Sequence, residues 1–130
     1  MSRLSILPIA AAFALTAVSM PALADGLSGN WSGGGYVKPR DGQREKVSCR
    51  VKYTPQGSSV VAVSATCASA STTIQQTGQL SKVSATKYVG EFYNSQYDIS
   101  GRIRVTISGG SQTVTFSSDR GSGSMQLSRR

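Results

Sequence analysis

The sequence predicts an all-β chain, a small antiparallel domain of eight strands, nine at most, tied by one disulfide. Three observations carry that reading. Beyond residue 24 apolar and polar residues alternate with period 2, and turn-forming residues recur about every 8 to 12 positions. No segment there repeats apolar residues three and four apart over the roughly 10 positions a helix needs. Such spacing belongs to an antiparallel sandwich or barrel.

The first strand is read from "LSGNWSGGGYV", Leu27 to Val37, where Gly33, Gly34 and Gly35 follow the only tryptophan, Trp31. A glycine run holds phosphate when it leads into a helix N-terminus, with a lysine in the P-loop type. Here a strand residue, Tyr36, follows, so the run predicts a bend or bulge at the rim of the fold. In the second strand Val47, Cys49, Val51 and Tyr53 alternate with Lys46, Ser48, Arg50 and Lys52. "TPQG", Thr54 to Gly57, reads as the turn, and Val61, Val63, Ala65 and Cys67 share one face of the return strand. Cys49 and Cys67 are the only cysteines and both have inward parity, which predicts a disulfide. With that turn they do not fall directly opposite each other, so the loop is wider than "TPQG" or the bond runs diagonally. The absence of C-x-x-C spacing and of any histidine argues against a redox pair or a metal site.

Three weaker strands follow: Thr72 to Gln76, Gly78 to Val83, and Lys87 to Tyr93, the last with Tyr88, Gly90 and Phe92 on one face. Then Gly101, Ile103, Val105 and Ile107 alternate with Arg102, Arg104, Thr106 and Ser108. "GGS" at Gly109 to Ser111 turns the chain into Val114 and Phe116, and Met125 with Leu127 marks the last strand. Ser and Thr supply 28 of the 106 residues after residue 24, but mostly at polar strand positions, which separates this chain from a disordered one.

The first residues, "MSRLSILPIAAAFALTAVSMPALADG", have the layout of a secretory leader: Arg3, an apolar run from Leu4 to Val18, and a small-residue cleavage triplet at Ala22 to Ala24. The expected organisation is a signal peptide over 1–24 and one domain over 25–130, periplasmic or secreted. After cleavage 13 basic residues face 6 acidic ones, since only Arg3 of the 14 bases is lost. A membrane-spanning barrel is not expected, because Lys46, Arg50, Lys52, Arg102 and Arg104 would crowd its lumen.

The opening G-x-W, here Gly29, Asn30 and Trp31, resembles the start of the calycin group of barrels: lipocalins, avidins and serralysin-type protease inhibitors. That resemblance implies a single antiparallel eight-stranded β-barrel, nine strands at most, in which Trp31 plugs one end and Arg129 or Arg130 stacks on it. The inhibitors are similar also in size, in the L-S-G-x-W start, in one cysteine pair and in a basic C-terminal end. The chain further resembles a group of exported Gram-negative proteins carrying "WSGGG", "SCR" and "CAS", as at Trp31, Ser48 and Cys67, from which no activity follows. Two departures limit what is implied: avidins line a biotin pocket with several tryptophans, and only Asp25 to Ser28 precede the motif where the inhibitors carry a protease-blocking arm.

No catalytic residues are expected. Without histidine there is no common general base, and Glu91 with Asp98 is the one carboxylate pair on adjacent strands for a glycosidase. No cofactor is expected, and export argues against a nucleic-acid partner. Tyr88, Phe92, Tyr93 and Tyr97 around the Asn94 to Gln96 turn form the candidate binding cluster, because tyrosine combines apolar contact with a wet rim. The expected function is an exported, non-catalytic binding or inhibitor-like module for an unknown protein or small-molecule ligand. The alternative is a structural envelope protein held electrostatically on anionic polymers or lipopolysaccharide, an association that salt would abolish.

Overall fold

A computed structural model describes residues 26–130, so the leader expected at 1–24 lies outside the described residues. Eight strands follow in order: β1 (Gly29–Pro39), β2 (Glu45–Pro55), β3 (Val60–Ala68), β4 (Thr73–Ser84), β5 (Lys87–Asn94), β6 (Ile99–Ser108), β7 (Ser111–Ser118) and β8 (Gly121–Arg129). Each pairs antiparallel with the next, and β8 pairs with β1, closing the barrel. Closure leaves no strand edge to template aggregation. Alternation is what places the side chains: along β2, Val47, Cys49, Val51 and Tyr53 are buried while Lys46, Ser48, Arg50 and Lys52 are exposed. The outer wall thus carries lysine and arginine where a bilayer-spanning barrel would carry an apolar band. Among the described residues no helix is long and apolar enough to cross a membrane.

Three expectations change at the level of the elements. The segments read as separate strands at 72–76 and 78–83 form one strand, β4, which fixes the count at eight. Within that strand Gly78 faces inward, where an added Cβ would lie 2.2 Å from the Glu91 carbonyl oxygen; it marks a close approach of two strands. The "TPQG" turn also moves. Strand β2 runs on through Thr54 and Pro55, and Gln56 to Ser59 make the connection, with the Gln56 N–H donating to the Val60 carbonyl at 2.8 Å. That shift brings Cys49 directly opposite Cys67, and the disulfide joins Cα atoms 4.1 Å apart across the ladder.

The glycine run bends without a bulge. Gly33 to Gly35 keep unbroken register with Cys49 to Val47 on one side and with Leu127 to Met125 on the other. Gly33 and Gly35 share the inward parity of Trp31 and Val37, and a Cβ on either would fall 2.0 Å and 1.9 Å from carbonyl oxygens of β8. With no Cβ at these positions, β1 lies this close to β8 without a clash. The register irregularity of the barrel lies elsewhere, between Lys82 and Ser84.

Candidate functional site

Large and small inward side chains are segregated along the barrel. At the end holding the β2–β3, β4–β5 and β6–β7 turns, Trp31, Tyr53, Leu80, Tyr88, Gln112 and Leu127 are buried and fill the lumen. Toward the other end the inward positions hold Val37, Val47, Ala65, Cys67, Gly35 and Gly123. An eight-stranded barrel is just wide enough for side chains to fill or for one small ligand to enter. This barrel is filled by side chains at one end and leaves a cavity at the other.

The filled end is sealed by the chain termini. Leu27 and Trp31 are fully buried, and the Trp31 Nε1–H donates to the Leu27 carbonyl at 2.8 Å. Trp31 and Arg129 are register partners of β1 and β8, and the Arg129 guanidinium carbon sits 4.5 Å from the centre of the indole. The same guanidinium donates through Nη1 to the Ser28 carbonyl at 2.8 Å and through Nη2 to the Gly26 carbonyl. Gly29 has φ +115°, a conformation that favours glycine, and an added Cβ would lie 3.2 Å from Arg129 Nη1. Gly29, Trp31 and Arg129 therefore meet in one place, while Arg130 pairs through its backbone N–H with the Asn30 carbonyl. Gly26 to Ser28 are fastened against this seal, so that stretch does not project as an inhibitory arm.

Above the seal, Tyr53 reaches from β2 to β7, its hydroxyl donating to Gln112 Oε1 at 2.6 Å. Burial pushes the Tyr53 phenol well above its ordinary pKa, so it remains a neutral donor. Gln112 Nε2 is buried and has no hydrogen-bond partner among the described residues. Tyr53 and Leu80 line the floor of a cavity of about 200 Å³ whose walls include Val51, Val63, Ile103 and Val114. Phe92 and Phe116 pack edge to face, centroids 5.9 Å apart, over the bare backbone of Gly101 and Gly123. The cavity opens among Pro39, Glu45, Ser69 and Thr72. There Glu45 accepts a hydrogen bond from the Ser71 hydroxyl at 2.8 Å, and the Ser69 and Ser71 hydroxyls hold its carboxyl below the ordinary carboxylate pKa.

The four aromatics expected to form a binding cluster are not brought together. Phe92 lines the cavity, whereas Tyr88 is fully buried in the filled end, opposite Val105 in the ladder. Tyr93 and Tyr97 lie on the outer surface, 46% and 42% exposed. The Tyr93 hydroxyl donates to Asp98 Oδ1 at 3.1 Å, and that hydrogen bond, with the carboxylate charge, raises the Tyr93 pKa. Parity is the reason: Tyr88 and Phe92 point inward at different depths of β5, and Tyr93 points out. Glu91 is exposed on the wall opposite Arg102, and Asp98 sits in the β5–β6 turn at φ +53°; neither lines the cavity. Among the described residues no group of His, Cys, Asp or Glu is gathered to hold a metal.

Sequence reasoning missed Glu45 and Gln112. Each extends an alternation by one step, Glu45 before Val47 and Gln112 before Val114, so strict parity places both inside.

No family model matches the chain, and no curated protein is similar to it in sequence. Solved structures do resemble it. The redesigned β-barrel mFAP1 bound to DFHBI superposes with a TM-score of 0.66 at 15% identity, over 81% of this chain and 95% of that one. The barrel EF1p2_mFAP2b bound to DFHBI gives a TM-score of 0.68 at 12% identity, covering 81% and 94%. A third barrel, from the de novo design of a fluorescence-activating β-barrel, gives 0.63 at 18% identity, covering 83% and 100%. At such identities the likeness is one of fold, and it extends across the described domain.

Proposed function

We propose that this chain is an exported, non-catalytic binding module of the bacterial envelope, calycin-like in architecture, that holds a small apolar ligand inside its barrel. The observation carrying this reading is the cavity of about 200 Å³, walled by aliphatic and phenyl side chains, sealed at one end and open at the other. An apolar cavity of about 150 Å³ admits benzene, so the space suits one ring or a short branched chain. Two of the structurally similar barrels hold a small molecule, which supports the same use of the fold here. Export rests on the leader sequence, and the basic outer wall would keep such a module near anionic envelope polymers.

The test fills the space. Ala65 lines the cavity, and Ala65→Phe would place a ring in the lumen. Titration with an apolar fluorophore of one or two rings should show saturable binding to the native protein and at least a tenfold loss in Ala65→Phe, with the β-sheet circular dichroism retained. Equal binding by the two proteins would mean that the dye sits outside the barrel, and the reading would fall.

A further inference from the structure

The cavity has a chemical polarity that narrows its ligand. Its floor is spent: the Tyr53 hydroxyl already donates to Gln112. Its walls are apolar apart from the Gln76 amide on β4. At the mouth, Ser69 Oγ accepts from the backbone N–H groups of Ser71 and Thr72, and the Thr72 hydroxyl lies 3.4 Å from that of Tyr97. One strong group remains with capacity to spare. Glu45 is the charged residue lining the cavity, and its two carboxylate oxygens offer about four lone-pair sites, more than the Ser69 and Ser71 hydroxyls beside it can fill.

The chain carries +8, yet four of its five described acids, Asp41, Glu45, Asp98 and Asp119, stand at the mouth end. The bases at that end are Lys38, Arg40, Arg44, Lys46 and Arg120. Arg40 donates to the Asp119 carbonyl at 3.3 Å, and Arg44 lies 3.8 Å over the outward-facing ring of Tyr36. Charges of both signs thus stand around the mouth, while the one that lines the lumen is negative.

We infer that the cavity takes a small apolar amine, its ring or branched alkyl body among Val47, Ile74, Phe92 and Phe116 and its protonated nitrogen at the Glu45 carboxylate. This rests on the binding reading above and adds the sign of the ligand's charge to it. A cation suits the site because it brings donors to an acceptor-rich rim, and a charge-assisted hydrogen bond at a half-desolvated mouth outweighs a neutral one. A carboxylate ligand of the same shape would face Glu45 with like charge.

Isosteric probes decide it. Benzylamine, benzyl alcohol and benzoate share one ring and differ in the charge of the head group, and their binding to the native domain can be followed by NMR shift titration at pH 7. Benzylamine should bind at least tenfold more tightly than benzyl alcohol, with benzoate weakest. Glu45→Gln should bring benzylamine to within about twofold of the alcohol, and Ala65→Phe should weaken both. Equal affinity of amine and alcohol for the native protein, a preference for benzoate, or an amine preference that survives Glu45→Gln would overturn the inference while leaving the cavity a binding site. Absence of binding by all three probes would overturn the inference and the binding reading together.

Discussion

Tyr53 and Gln112 show how a single buried pair shapes the interior. Their hydrogen bond joins strands β2 and β7, three places apart around the barrel, and forms the cavity floor. A buried polar group is tolerated when partnered and costs about 1–3 kcal/mol when its partner is removed. Tyr53→Phe would leave both ends of the Gln112 amide without a partner, and Gln112→Leu would leave the Tyr53 hydroxyl against apolar walls. Each single change should therefore cost about 1–3 kcal/mol in urea unfolding. The double change removes both polar groups and should cost less than either alone, giving a strong coupling in the double-mutant cycle. Simple addition of the two losses would show that Tyr53 and Gln112 act independently.

At the scale of the elements, the β2–β3 hairpin is held by both a backbone ladder and a covalent bond. Its register is set by the Gln56 to Ser59 connection, and the resulting pairing of Cys49 with Cys67 spans a sequence separation of 18. A loop of that length implies a stabilisation of about 3 kcal/mol from restricting the unfolded chain. Replacing both cysteines with alanine should lower the unfolding free energy by about that amount, with the sheet spectrum unchanged; a loss below about 1 kcal/mol would show that the hairpin is ordered by its ladder alone. Both cysteines could be given inward parity from sequence, because period 2 is a local property. Their direct opposition could not, because a turn off by two residues moves every partner along the ladder while preserving alternation.

Over the whole molecule, the all-β class was legible from alternation, while barrel closure and an arginine, Arg129 or Arg130, stacked on Trp31 were what the resemblance of the G-x-W opening implied. The cavity was not legible, since it depends on comparing inward side chains at equal depth on eight strands. That comparison sets Trp31, Tyr53, Leu80 and Tyr88 against Val37, Val47 and Ala65, residues far apart in the sequence. Closure has a consequence for connectivity. The two ends of the described domain meet at the seal, where Arg129 bonds the Gly26 carbonyl and Arg130 the Asn30 carbonyl, so in a chain starting at Gly26 a linker of a few residues can join them. New termini can be opened at Gly57, in the β2–β3 turn, where an added Cβ would meet nothing within 4 Å. Because every strand keeps both neighbours, this circular permutant should fold to the same barrel and bind the same apolar dye. Its disulfide, however, would close a loop of roughly 90 residues in place of the short hairpin, and the chain-entropy relation then raises the bond's contribution by about 1.4 kcal/mol. Replacing both cysteines should thus destabilise the permutant more than the native order by about that margin in urea unfolding. Equal losses in the two connectivities would place the stabilisation by the disulfide in the folded hairpin itself, and a permutant that fails to fold would contradict the closed β1–β8 ladder.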